Sequence, residues 1–165
     1  MAITLEDGQL VWRRVDQFFL GVGKANPAIV EQFRGLKSWL VQQKGNPSLQ
    51  FIPFADADIV QATGYNAADA ASTLYGVYFI KNGTNGTGTT TAMWLTLQNE
   101  ATNTTLALKL VALHTAIASQ QLAAVYPAGK AFGTYISISA ENASLDGTEV
   151  AGGAAGSGFI IIGAA

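Results

Sequence analysis

The sequence predicts a mainly β protein, an antiparallel β-sandwich with a helical segment before it. After residue 50, five short runs are rich in aromatic and β-branched residues, and each is bounded by Gly, Asn, Thr or Pro, which is typical of strands joined by turns. Before residue 50 the apolar residues recur at helical spacing instead. Only 12% of the residues are charged, which is about half the share of an ordinary globular domain.

Two helices are predicted in the first part of the chain. Asn26 supplies an N-cap and Pro27 stands at the first helical position, and apolar residues then follow one face as far as Gly45. Upstream, Asp7 can cap a shorter helix with a similar apolar face.

Charge divides the chain near residue 50 as well. Residues 1–50 hold six basic and four acidic side chains, and residues 51–165 hold three basic and seven acidic ones. The net charges are therefore +2 and −4, and their sum is the −2 of the whole chain. We expect two units, a helical N-terminal arm at 1–50 and a β-sandwich body at 51–165.

The predicted strands of the body are 74–81, 92–98, 105–113, 132–139 and 158–163. The segment 82–91 between the first two predicts a hairpin with an extended tip, because Asn-Gly pairs favour the positive φ of tight turns. The segment 106–125 suits a strand or a helix, since its leucines fit both period two and helical spacing. We expect strands there.

Catalytic and metal-binding patterns fail because the necessary residue types are missing. The chain has one histidine, His114, and no cysteine, which excludes most nucleophile–base pairs and all thiolate metal sites. Asp56 and Asp58 form a close carboxylate pair. Nothing beside them supports acid–base chemistry or Ca²⁺ binding, and we expect them to be solvated or to cap a turn. The sequence predicts a protein that is not an enzyme and needs no cofactor or metal.

Charge and hydropathy also limit the partners. A net charge of −2 and a pI near 5.2 lack the basic surface of a nucleic-acid-binding protein. No run reaches the roughly 18 consecutive apolar residues of a membrane span. The segment 70–140 contains only four charged residues. Because exposed charge keeps a freely diffusing domain soluble, we expect other protein to cover much of this segment.

The body resembles a known family in the order of its segments. These are the apolar run 74–81, the Thr- and Gly-rich segment 82–91, the run 92–98, and then Pro127-Ala128-Gly129 followed by an aromatic residue, a Gly-x-x-Ile-Ser-Ile strand and a terminal apolar strand. In this order residues 72–165 are similar to the small jelly-roll proteins of bacteriophage virions, most of all to capsid cement or decoration proteins. The resemblance implies a jelly-roll β-sandwich on the outer surface of the capsid, present as a homo-oligomer, usually a trimer or dimer, after synthesis in the host cytoplasm.

Such a protein binds the major capsid protein or another virion protein and needs neither nucleic acid nor a membrane. The helical arm is the candidate partner contact, because Trp and Arg are enriched in protein interfaces. Its candidate interface residues are Trp12, Arg13, Arg14, Phe18 and Trp39. The aromatic side chains of the arm could instead pack on each other or on the body.

Two other functions fit the same sequence. The protein could be a structural component of a phage tail, fibre or baseplate, which would have the same composition. It could also be a carbohydrate-binding β-sandwich module, in which Trp94, Tyr75, Tyr78 or Tyr135 would form a platform for stacking on sugar rings.

Overall fold

The computed structural model describes residues 8–21, 26–42, 49–59, 65–81, 92–101, 109–115, 120–142 and 156–164. Within these ranges the elements are α1 Gly8–Gly21, α2 Pro27–Gln42, β1 Leu49–Phe54, α3 Asp56–Ile59, β2 Tyr65–Ala68, β3 Ser72–Lys81, β4 Met93–Gln98, β5 Lys109–Thr115, β6 Gln121–Phe132, β7 Ile136–Asn142 and β8 Gly156–Ala164. None of the described helices is long and apolar enough to cross a membrane.

The strands form two antiparallel sheets of four strands each. Sheet A has the order β1-β8-β3-β6, and sheet B has the order β2-β7-β4-β5. The first strand pairs with the last, the second with the seventh, the third with the sixth and the fourth with the fifth. These pairings are nested, as in one long hairpin that is folded over on itself. This topology is a jelly roll. The predicted β-sandwich is confirmed.

The hairpin predicted between β3 and β4 is wrong. β3 pairs with β6 and β8 in sheet A, whereas β4 pairs with β5 and β7 in sheet B. The chain therefore crosses from one sheet to the other between these two strands. The connecting residues 82–91 lie outside the described residues. Asn-Gly pairs favour turns in general, so they do not predict that the strands on either side pair with each other.

The two sheets enclose the main apolar core. Its residues come from alternate positions of strands in both sheets, such as Val77 and Phe79 of β3 together with Leu95 and Leu97 of β4. All four of these side chains are buried. This alternation is the period of two that a strand imposes on its side chains.

The two N-terminal helices form a third layer on the outer face of sheet A. Val15 of α1 and Phe33 and Leu36 of α2 share one apolar cluster with Tyr78 of β3 and Phe159 of β8. The helical segment is therefore packed as a layer on sheet A, and the division of the chain into units at 1–50 and 51–165 stays a prediction. Such a layer follows from the amphipathic pattern, because each helix has one apolar face to bury.

The predicted start of α2 is confirmed. Asn26 Oδ1 accepts a hydrogen bond from Ala28 N at 2.9 Å, which is the N-cap geometry. Pro27 follows as the first helical residue. Asn26 N also donates to Gln121 Oε1 at 2.7 Å, so the beginning of the helix is joined to β6.

A bulge in β3 changes which residues face the helices. Between Leu74 and Gly76, β3 has one residue more than β8, so Tyr75 is extra. Tyr75 lies in the helix-facing cluster, and a Cβ on Gly76 would lie 3.0 Å from Phe33 Cε1. Gly76 therefore leaves the space that the Phe33 ring needs.

The Pro-Ala-Gly segment is a bulge inside β6 and not a turn before a strand. In the ladder between β3 and β6, Gly76 pairs with Val125 and Leu74 pairs with Lys130. One residue of β3 therefore lies opposite four residues of β6, and residues 126–129 form a bulge. Gly129 has a φ of 80°, a conformation that glycine adopts without strain.

The boundaries predicted for the strand 132–139 are also wrong. β6 ends at Phe132 and β7 begins at Ile136. The bend between them is held by Asn99, whose Oδ1 accepts hydrogen bonds from Thr134 N at 2.9 Å and from Tyr135 N at 3.2 Å. Asn99 is distant in sequence, so the local pattern carries no sign of this bend.

Candidate functional site

The predicted interface residues of the helix layer differ in exposure. Trp12 is buried, Phe18 is half-buried, and Arg13 and Arg14 are exposed. Only 6% of Trp12 is exposed, and Lys37 Nζ lies 5.0 Å from the centroid of its ring. Phe18 is half-buried, and its ring makes edge contacts with the rings of Tyr78 at 5.8 Å and Phe159 at 5.1 Å. Trp12 and Phe18 therefore pack against other residues of the chain, which is the alternative that the sequence left open, and their contact with a partner stays a prediction.

The other predicted interface residues have different positions. Arg13 and Arg14 are exposed on α1. Trp39 belongs to α2, but the described part of the structure does not include its side chain. Of the five residues, the two arginines are those that the described structure presents to solvent.

On the exposed face of α1, Leu10, Arg13, Arg14, Gln17 and Leu20 form a stripe, here called the α1 stripe, and the exposed Asp16 lies at its margin. Leu10, Arg13, Gln17 and Leu20 follow one another at three- and four-residue steps, and Arg14 lies four residues after Leu10 and three before Gln17, so all five share one side of the helix. Leu20 is 83% exposed and Leu10 is 43% exposed. Two exposed leucines beside two arginines form a surface suited to contact with another protein, since arginine and apolar side chains are typical of interface centres.

Sheet B carries an unusual row of polar side chains on the face that points away from the core. This polar row consists of Thr96, Gln98, Ser137, Ser139 and Glu141, which alternate along β4 and β7 with core residues. At most 1% of each of these side chains is exposed.

The polar row is linked by hydrogen bonds across the two strands. Thr96 Oγ1 donates to Glu141 Oε1 at 3.0 Å and lies 3.0 Å from Ser139 Oγ. Because a hydroxyl has one proton to donate, Ser139 is the donor to Thr96. Gln98 Nε2 donates to the same Glu141 oxygen at 3.5 Å. A shielded carboxylate held in this way serves to join the strands and is not open to a ligand.

The four aromatic residues considered as a sugar platform do not form one surface. Tyr75 and Tyr78 belong to the helix-covered face of sheet A, with 9% and 0% exposed. Trp94 and Tyr135 are half-buried. The Trp94 ring lies against His114, with ring centroids 4.6 Å apart and planes at 52°.

His114 is exposed on β5 beside this tryptophan.

Of the two predicted turn-capping carboxylates, Asp58 has that role, whereas Asp56 bonds to the distant strand β8. Asp58 Oδ2 accepts a hydrogen bond from Ala55 N at 2.8 Å, and Asp56 Oδ1 accepts one from Gly156 N at 3.0 Å. Burial raises the pKa of Tyr65, and the nearby negative charge of Asp58 raises it further. Among the described residues no group of three or more His, Cys, Asp or Glu side chains could hold a metal ion.

Two of the buried ionisable side chains of β3, those of Tyr78 and Lys81, have shifted pKa values. Burial raises the pKa of Tyr78 to about 12, and the Tyr78 hydroxyl has no hydrogen-bond partner within the described part of the chain. Burial lowers the pKa of Lys81, whose side chain is 1% exposed. Neither group reaches the surface, so neither is presented to a partner.

Sequence reasoning missed the polar row, although its signal was present. Thr96 and Gln98 alternate with leucines, and Ser137 and Ser139 alternate with isoleucines. This alternation predicts a sheet with one solvated face, whereas the structure shields the polar face as well.

Comparisons of this chain with protein-family models, with curated proteins and with solved structures found no match.

Proposed function

We propose that this protein is a structural virion protein of a bacteriophage, a capsid cement or decoration protein that binds the outside of the major capsid lattice and stabilises it. The jelly-roll strand order supports the proposal, because this arrangement recurs in viral capsid domains. The inference is one of fold-level analogy, since a fold hosts more than one function. The low charge of the segment 70–140 supports it independently, because it suits a surface that other protein covers.

The α1 stripe is the proposed contact with the capsid. Arg13 and Arg14 lie between the exposed side chains of Leu10 and Leu20, so an acidic capsid surface with an apolar centre would fit it. The helix layer is packed on sheet A through Phe33 and Phe159, so the stripe is held on a rigid support.

Electron microscopy of the phage particle, with antibodies against this chain, tests the location. Label on the outside of the capsid is the expected result. Label on the tail, fibre or baseplate would support the alternative structural role instead. A particle without label would overturn both.

Co-sedimentation with capsids that lack the protein tests the contact surface. We expect the double substitution Arg13→Glu and Arg14→Glu to weaken capsid binding by at least about tenfold, because like charges placed across an interface repel. Lys130→Glu, a charge reversal on β6, is the control and should leave binding unchanged. Equal binding by all three proteins would remove the α1 stripe from the proposal.

A carbohydrate-binding module is the second candidate, and one observation favours it. Trp94 is half-exposed on the outer face of sheet B, where an indole ring can stack on a sugar. Glycan-array binding by the purified protein, lost in Trp94→Ala and kept in Tyr75→Phe, would support this function over the structural one.

A further inference from the structure

The side chains of the α1 stripe and its margin follow an order that is complementary to itself. Val15, near the middle of α1, is fully buried in the helix-facing cluster, so the opposite side of the helix faces solvent. On that side, positions equally far before and after Val15 carry matching side chains. Leu10 corresponds to Leu20, and Arg14 corresponds to Asp16.

This order allows two copies of α1 to pair in antiparallel orientation. A two-fold axis at the level of Val15 brings residues equally far before and after it opposite each other, and every contact then occurs twice. Leu10 of each copy would lie opposite Leu20 of the other. These leucines are 43% and 83% exposed, so their contact would remove apolar surface from water.

The polar residues are complementary in the same arrangement. Arg14 and Asp16 of the second copy carry opposite charges, and Arg13 can donate a hydrogen bond to the side-chain oxygen of Gln17. Arg14 also has a contact within its own chain, but a guanidinium has five N–H donors and can bond to more than one acceptor. Arg13, Arg14 and Asp16 are the charged residues of α1, so the helix meets no uncompensated acid in its copy.

We propose that, away from the capsid, the α1 stripe is covered by the α1 stripe of a second copy in this antiparallel arrangement, and that a capsid displaces the second copy. The displacement rests on the proposed function, because it takes the stripe as the capsid contact. One surface cannot hold two partners at once. Self-pairing would therefore keep the exposed leucines covered until the protein meets a capsid.

The size of the contact makes it reversible. α1 has 14 residues and is therefore about 21 Å long. One such helix pair should bury less than the roughly 1,200 Å² at which standard protein interfaces begin, and contacts of that lower class are weak and transient. We expect a dimer that forms at high protein concentration and dissociates when a capsid binds the stripe.

Sedimentation of the full chain without capsids tests the self-pairing. The mass should rise from 17.2 kDa towards twice that value as the concentration increases. Arg14→Asp places carboxylates opposite each other and should weaken the dimer by at least about fivefold. Adding Asp16→Arg to this variant restores pairs of opposite charge and should return dimerisation to within about twofold of the unaltered chain. Arg34→Asp makes the same charge change on the exposed side of α2 and should leave the dimer unchanged.

A disulfide between the two copies tests the displacement. The chain has no cysteine, so Arg13→Cys with Gln17→Cys introduces thiols only where the copies face each other. Both positions are exposed on α1, so the fold should be kept. Oxidation should lock the dimer, and the locked dimer should bind capsids at least about tenfold more weakly than the same protein after reduction.

The outcomes separate the self-pairing from the capsid contact. A chain that stays monomeric at the highest concentration at which it is monodisperse, or a charge exchange that does not restore the dimer, would overturn the self-pairing and leave the capsid contact untouched. Equal capsid binding by the locked and reduced forms would overturn the displacement. If the dimer forms as expected but neither form binds capsids, the proposed function fails, and the displacement with it, while the self-pairing stands.

Discussion

Sheet A and sheet B share one core but are built differently on their other faces. In sheet A, Phe159 and Ile161 of β8 pack against the helices while Ile160 and Ile162 face sheet B, so the strand is apolar on both faces. In sheet B the face away from the core carries the polar row, which is shielded and hydrogen-bonded around Glu141.

This difference separates two ways of stabilising a sheet. Sheet A depends on buried apolar area and close packing, where each lost methylene group has a cost. Sheet B depends in part on hydrogen bonds, where the cost arises when one partner is left buried and unsatisfied. Substitutions in the two sheets should therefore act through different physical terms, and the following experiments compare them.

The largest effect is expected at Gly158 in sheet A. A Cβ at this position would collide with the carbonyl oxygen of Tyr78 and would lie 2.8 Å from Phe54 Cζ. Gly158→Ala should lower the free energy of unfolding by more than about 4 kcal/mol or prevent folding. Urea denaturation measures it.

Gly35→Ala is the matched control for this substitution. A Cβ on Gly35 would meet nothing within 4 Å. Because alanine has a higher helix propensity than glycine, Gly35→Ala should raise the free energy of unfolding by up to about 1 kcal/mol. If both variants unfolded at the same urea concentration, the close approach of β8 to β3 would be disproved.

A second experiment asks whether the helix layer and sheet A are one unit. Phe33 is fully buried between them, so Phe33→Ala should cost about 3–5 kcal/mol. The helical and near-ultraviolet circular dichroism signals should still be lost in one transition. Gln32→Ala, on the exposed side of α2, should change stability little. Two separate transitions would mean that the helices are an independent arm after all.

The polar row of sheet B should respond to the loss of a single hydroxyl. Thr96→Val keeps the shape of the side chain but removes the donor to Glu141, and it should cost about 1–3 kcal/mol. Thr134→Val is the comparison, because the hydroxyl of Thr134 also donates a hydrogen bond, to Asn99 Oδ1 at 3.1 Å, but is exposed. Its loss should cost less than about 0.5 kcal/mol, and equal costs would show that shielding of the row is unimportant.

The smallest effect is expected at the Tyr78 hydroxyl in sheet A. This buried hydroxyl has no hydrogen-bond partner among the described residues, so Tyr78→Phe should be neutral or should stabilise the protein by about 1 kcal/mol. The pKa of Tyr78 is raised from 10.0 to about 12 in the folded protein. The neutral form is therefore favoured by folding, and stability is complete below pH 10 and falls as the pH rises towards 12.

Denaturation midpoints measured over this pH range test the assignment. The unaltered protein should lose more stability than Tyr78→Phe does, although Tyr65 and Tyr126 contribute the same trend to both. Identical pH profiles would mean that Tyr78 does not remain protonated in the folded core.

Local chemistry determined much of the secondary structure. The Asn26 cap and Pro27 mark the start of α2, and the unbroken apolar runs of β3 and β8 reflect strands that are buried on both faces. β1 was not predicted, because a proline such as Pro53 disfavours a strand in the local sequence. Pro53 is tolerated in β1 because β1 is an edge strand.

The sequence by itself therefore determined where the two long helices and most of the longer strands lie and that apolar faces must be covered, since propensity, capping and periodicity act over a few residues. Only the tertiary structure decided that β3 and β4 lie in different sheets, that Trp12 is buried and Phe18 half-buried, and that the polar row is shielded. These outcomes depend on contacts between residues far apart in the chain, whose free energy exists only when the layers are assembled.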